Sequence, residues 1–238
     1  HALDKGVIDS NPVNGVTKSL VFEVSNEVRG FSDVELEAIF SSPIYTANYK
    51  PQIADYGEAH YWVPLILYYT GARAEEIAQL YVEDVLLGES VPHFLISNNR
   101  DDQRTKNGLD RRVPIHQHLL DLGITEYVAG LGASGRLFPK LNPTKDNKYH
   151  YALGRWIGDY FRGVLKLDRE NLKPLHDFRH RFATNCRSVG FREDTQYAIT
   201  GHAPGNVGRG YGYHTLEVMQ EAINQMPRCC VSTVVSAG

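Results

Sequence analysis

The chain has 238 residues, 42% of them hydrophobic, which suits one large soluble domain or two small ones and excludes a disordered chain. Its longest apolar stretch, around Tyr61 to Tyr69, is too short and too interrupted to span a bilayer, and the N-terminus lacks a charged-then-apolar export signal, so a cytoplasmic protein with no membrane partner is expected. The formal charge of −3 argues mildly against a nucleic-acid partner, yet Lys173, His176, Arg179, His180, Arg181, Arg187 and Arg192 stand against only Asp177 in one local basic stretch.

In chain order, residues 1 to 10 read as the end of a helix, with Asn11 and Pro12 as the break, so residues 1–20 are expected to be the end of a missing N-terminal domain plus linker. Residues 13 to 30 look extended. A first helix is expected from Phe31-Ser32-Asp33 to about Phe40, with Ser32 and Glu35 as a capping box. An apolar helix follows from about Tyr56 to Tyr69; Thr70-Gly71 ends it, and a short helix spans Arg73 to Leu80. From Val85 to Ile115, the runs V-P-H-F-L-I-S and R-R-V-P-I-H predict a small antiparallel sheet whose loop carries Lys106. Helices are expected again at about 116–130, 149–165, 176–189, 193–200 and 214–225. The fold class is therefore α+β, mainly helical with a small antiparallel sheet on one side, with a domain over 21–226 and a tail over 227–238. The Val-rich tail is either disordered or a strand that docks elsewhere, and Val231 to Val235 are a candidate strand for a neighbouring protomer's sheet. The three cysteines, Cys186, Cys229 and Cys230, form neither an even framework nor a zinc pattern and read as reduced thiols.

Arg73, Lys106, His176, Arg179, His202 and Tyr211 form an ordered series of cations and proton donors ending in a tyrosine. Cleaving a phosphodiester requires neutralising charge on its non-bridging oxygens, which the planar fork of arginine does well, so Arg73 and Arg179 are the expected clamp. His176 and Arg179 share a helix face at spacing three, and Glu76 lies one turn after Arg73, where it can buttress it. Lys106, on a hairpin loop, can protonate a leaving 5′ hydroxyl, whereas Arg104, Arg111, Arg112 and Arg181 suit contacts to the DNA backbone. Tyr211 would be the nucleophile, His176 its proton acceptor and His202 a hydrogen bond to a phosphate oxygen; Tyr213 competes with Tyr211, because the glycines around them let either swing in. Taken one at a time, each of these residues has an ordinary alternative: a surface salt bridge for an arginine, a solvated loop for Lys106, half-buried packing for a tyrosine.

Together the boxes resemble the tyrosine recombinases, or phage integrases: T-G-A-R-A-E-E-I-A-Q-L at 70 to 80 is similar to the first arginine box, R-T-K-N-G-L-D-R-R-V-P-I at 104 to 115 to the lysine hairpin, and H-D-F-R-H-R-F-A-T at 176 to 184 to the H-x-x-R box. G-H-A-P-G-N-V-G-R-G-Y at 201 to 211 resembles the segment from Gly-His to the tyrosine, with Tyr211 nine residues after His202. The chain departs from the family at Thr200, where leucine is usual, and in the glycine-rich stretch from Ala203 to Gly210. The resemblance implies strand cleavage and rejoining through a 3′-phosphotyrosyl intermediate, with no metal or other cofactor and no ATP. It implies double-stranded DNA as partner, a homotetramer on paired sites, accessory DNA-bending or directionality proteins, and integration or excision of a phage or genomic island. It also implies that the domain missing before residue 1 is the core-binding domain, so that this fragment binds DNA weakly.

Three other readings compete: a DNA-binding module of the same fold without catalysis, a type IB topoisomerase-like enzyme, and a metal-dependent hydrolase built on His176 and His180 at helical spacing four. The last lacks a general-base Glu between the histidines, and Arg179 and Arg181 would repel a cation.

Overall fold

The computed structural model describes residues 29–47, 49–51, 54–106, 108–202 and 214–232. The expected helix end and most of the linker before residue 29, and residues 233 to 235 of the candidate tail strand, lie outside the described residues.

Helix α1 (Asp33–Phe40) starts at the expected capping box: Glu35 N–H donates to Ser32 Oγ at 3.2 Å, and Ser32 N–H donates to Glu35 Oε2 at 2.7 Å. A one-turn helix absent from the sequence reading, α2 (Pro43–Thr46), follows, with Pro43 supplying a helical φ at its first position. Helix α3 (Ala59–Thr70) is buried at every residue but Tyr61, as a helix apolar on all sides must be. It packs on α8 (Pro174–Ser188), whose Phe178 and Phe182 are fully buried. Gly71 ends α3 with φ 57°, and a Cβ there would lie 2.4 Å from the Phe182 ring, so glycine alone fits both the backbone and the contact.

After the short α4 (Ala74–Ala78) and a 3₁₀ turn (Val82–Asp84), strands β1 (Val85–Leu86), β2 (His93–Ile96) and β3 (Arg111–Pro114) form the predicted antiparallel sheet in the order β1-β2-β3. Ile96 pairs with Arg111 at its open end, where the loop carrying Lys106 leaves the sheet. That loop is tied down at its root. The buried Gln79 amide accepts from Arg104 N–H at 2.9 Å and donates to Arg104 O at 2.8 Å, while Asp84 takes Arg100 at 2.8 Å and Gln103 at 2.6 Å. Lys106 sits on an exposed turn beyond these anchors.

The predicted helix over 116–130 is broken at Leu122–Gly123 into α5 (Gln117–Asp121) and α6 (Ile124–Gly130). Helices α7 (His150–Gly163), α9 (Glu193–Thr200) and α10 (Leu216–Asn224) complete the order, close to their expected bounds. Among the described residues no helix is long and apolar enough to cross a membrane. All three cysteines are unpaired.

The described part of the tail, residues 227–232, docks on its own chain. Met226 and Val231 are buried in the chain's own core, so Val231 is not free to join a neighbour's sheet. Polar bonds hold this segment against α3 and α5: His118 Nε2 donates to Val231 O at 2.9 Å, so His118 Nδ1 accepts from Tyr69 Oη at 2.6 Å, and Tyr69 Oη accepts from Cys229 N–H at 3.0 Å. Tyr68 Oη donates to Pro227 O at 3.0 Å.

Removing this segment exposes apolar core and takes from His118 Nε2 and Tyr69 Oη their bonds to Val231 O and Cys229 N–H. A chain ending at Gln225 is expected to lose about 3–5 kcal/mol in a urea titration.

Candidate active site

Two helix ends meet α8 where the sequence boxes converge. Helix α8 carries His176 and Arg179, α3 ends at Gly71 two residues before Arg73, and α9 ends at Thr200 two residues before His202. Arg179 is buried, and its Nη1 donates to the carbonyls of Gly71 and, at 2.9 Å, Thr200. The last carbonyls of a helix lack intrahelical donors and lie at the negative end of its dipole, which makes them fitting partners for a buried cation. Burial first, and then the nearby charges of Arg73 and Arg111, lower the Arg179 pKa to about 10, so it stays charged near neutrality. Its Nη2 lies 3.1 and 3.3 Å from the two ring nitrogens of His202.

Glu76 organises the other arginines. Fully buried on α4, it accepts Arg73 N–H at 2.9 Å and Arg73 Nη1 at 3.0 Å, and it takes Arg111 Nη2 at 2.6 Å and Nη1 at 3.2 Å. Burial alone would raise its pKa; the hydrogen bonds and charges of Arg111 and Arg73 outweigh that and hold the carboxyl below its ordinary value. Arg111 Nε also donates to Ile199 O at 2.9 Å, and its guanidinium lies against Gly201, where a Cβ would approach within 2.8 Å. With φ 68° as well, position 201 admits only glycine without strain.

His202 is partly exposed. Burial first, then the charges of Arg179, Arg73, Lys106 and Arg111, push its pKa below that of a free histidine. The cleft here, about 440 Å³, is lined by His176, Arg179, His180, Tyr197 and His202 among others. His176 is exposed and stacks on His180 with ring centroids 4.7 Å apart. The structure therefore gathers His176, Arg179 and His202 around one cleft, with Arg73 and Lys106 within electrostatic reach. Tyr211 and Tyr213 lie outside the described residues. The residues flanking that segment are held at opposite ends of α9, His202 at the C-terminal end and His214 beside Asp194 at 3.7 Å.

Of the four arginines expected on the DNA backbone, two have other partners. Arg111 turns inward, with its side chain 9% exposed, because Glu76 offers a buried counter-charge. Arg181 bonds Asp33 and Phe31 O, joining α8 to the start of α1. Arg104 and Arg112 are exposed, and Arg112 lines a second cleft of about 810 Å³ between β3 and α10. Among the described residues no group of three or more His, Cys, Asp or Glu is placed to hold a metal ion, so His176 and His180 have no third ligand there. The sequence reading passed over Gln79, Tyr197 and the contacts of Thr200; of these only Thr200, a polar residue where leucine is usual, carried a signal.

Glu76→Gln leaves Arg111 buried without its counter-charge and is expected to cost about 3 kcal/mol in urea unfolding. Because the folded pKa of Glu76 is depressed, its contribution is fully present above the ordinary value of 4.5 and is lost as pH falls through the folded pKa. Wild type and Glu76→Gln should accordingly converge in stability below that pH.

No protein-family model and no curated protein sequence matches the chain. Among solved structures, an integrase from mycobacterium phage Brujita aligns with a TM-score of 0.57 at 15% identity, over 99% of this chain and 69% of its own. The site-specific recombinase XerH, bound to its difH substrate in a pre-cleavage complex, aligns with a TM-score of 0.51 at 18% identity, over 74% of this chain and 47% of XerH. The Tn1549 transposon integrase, in complex with circular intermediate DNA, aligns with a TM-score of 0.50 at 18% identity, over 95% of this chain and 74% of its own. The chain thus spans less than half the length of XerH and roughly two-thirds to three-quarters of the other two. At these identities the likeness is one of architecture, and it agrees with the helix order and the small antiparallel sheet: the fold of this chain is that of the tyrosine recombinases.

Proposed function

We propose that this chain is the catalytic domain of a tyrosine site-specific recombinase that cleaves and rejoins DNA through a 3′-phosphotyrosyl intermediate. The observation that carries the reading is Arg179, buried between two helix ends and adjoining His202, in a cleft that His176 also lines. A cluster this rich in cations and poor in free carboxylate is suited to an anion with two exposed oxygens.

In the proposed reaction the Tyr211 oxygen attacks phosphorus and passes its proton to His176. Arg73 and Arg179 hold the non-bridging oxygens, His202 hydrogen-bonds one of them, and Lys106 protonates the departing 5′ oxygen. The phosphodiester bond is exchanged for a phosphotyrosyl bond, and attack by a 5′ hydroxyl of a partner strand reverses the exchange, so no ATP is consumed. Glu76 is a positioning residue: it orients Arg73 from one side while tying down Arg111 on the other. Double-stranded DNA as partner, a homotetramer on paired sites, and integration of a mobile element are parts of the same proposal. They draw support from the fold shared with a phage integrase and with a recombinase bound to its DNA site.

The test uses a suicide DNA substrate, nicked near the cleavage position and drawn from DNA flanking the gene, incubated in EDTA. A covalent protein–DNA band with wild type that disappears only in Tyr211→Phe is the expected result; loss only in Tyr213→Phe moves the nucleophile, and DNA binding without any band overturns the catalytic reading. Lys106→Ala should slow band formation by about 10²–10⁴-fold. Replacing the leaving 5′ oxygen with sulfur, which departs without a proton, should restore most of that loss.

A further inference from the structure

Both oxygens of Thr200 are engaged at the end of α9. The carbonyl accepts from Arg179 Nη1 at 2.9 Å. Oγ1, on a residue only 1% exposed, lies 2.8 Å from Gln196 O and 3.0 Å from His202 Nδ1. A carbonyl can only accept, so the hydroxyl proton goes to Gln196 O. Oγ1 then has only lone pairs to offer the imidazole, and Nδ1 must be the donor. Arg179 Nη2, almost equidistant from the two ring nitrogens, lies against the face of the imidazole rather than in its plane, so it takes neither lone pair and Nε2 keeps the one that the Nδ1–H tautomer leaves.

We propose that Thr200 is a positioning residue whose hydroxyl fixes His202 as the Nδ1–H tautomer and presents Nε2 as the atom that meets the scissile phosphate. The inference rests on the reading of this cleft as the site of phosphodiester cleavage. In the neutral ring Nε2 carries the lone pair. Protonation adds its hydrogen there, producing an N–H for a phosphate oxygen while Nδ1 keeps its acceptor on Thr200. The same residue therefore sets two phosphate-facing groups, Arg179 through its carbonyl and His202 through its hydroxyl. A leucine at this position has no oxygen with which to hold the ring. The bond to His202 is thus available to this chain because of its departure from the resembled family.

The experiment compares the 238-residue chain with its Thr200→Ser and Thr200→Val variants, each ¹⁵N-labelled at histidine. Long-range ¹⁵N–¹H correlation spectra report which ring nitrogen of His202 is protonated, and a His202→Asn variant assigns the signal. Wild type and Thr200→Ser should show protonated Nδ1, with Thr200→Val shifted towards protonated Nε2. In the suicide-substrate assay Thr200→Val should form covalent product about tenfold more slowly, while Thr200→Ser should stay within about threefold of wild type. An Nε2–H tautomer in wild type, an unchanged tautomer in Thr200→Val, or equal losses of cleavage in the two variants would each overturn the proposal. If wild type forms no covalent product at all, the cleavage reading fails instead, and the spectra still decide whether Thr200 sets the ring.

Discussion

Arg179 points its guanidinium into the junction of α3, α8 and α9, a place where a charge without acceptors would cost several kcal/mol. The cost is offset because two helices finish there, and their terminal carbonyls, which no residue within the helix can satisfy, converge on one donor. Much of the surrounding structure follows from this arrangement. Helix α3 must stop at a residue that takes a left-handed conformation and allows the Phe182 ring against its backbone, and only Gly71 meets both demands. Helix α9 must stop beside Arg111, and Gly201 meets that demand for the same two reasons.

Glu76 performs the complementary task. It is the buried anion that permits Arg73 and Arg111 to lie close to Arg179 despite their mutual repulsion, and the strength of those pairs is what keeps it ionised out of water. Through Arg111 it also joins α4 to β3 and to the last turn of α9, so the sheet and the helix ends are held in one register. The remaining imbalance is positive and falls on His202, whose pKa is lowered first by burial and then by the cations around it. An anion entering this cleft would relieve the repulsion among these cations.

Local elements were readable because their causes are local. Ser32 and Glu35 lie three residues apart and cap α1 with each other; the β-prone runs around His93 and Arg111 pair across one loop; Gly71 ends a helix where the apolar run ends. His176 and Arg179 share a face because the helical period puts them there. Other features answered to partners far along the chain. Arg111 and Arg181 look like their solvent-facing neighbours in sequence, and only the carboxylates of Glu76 and Asp33, 35 and 148 residues away, turn them inward. Val231 lies in a Val-rich stretch that reads as a free strand, yet it is buried in the chain's own core and His118 bonds its carbonyl.

By itself, then, the sequence determined the helical and strand segments, the order of the boxes and the kinds of side chain available for chemistry, because capping, periodicity and side-chain pKa are properties of short stretches. The tertiary structure decided which cations face the cleft and which are neutralised inside the protein. It also decided how the Lys106 loop is anchored and which polar groups surround His202. Each of those depends on a buried donor or acceptor brought from a distant part of the chain, and burial is what gives such a partner the energy to choose.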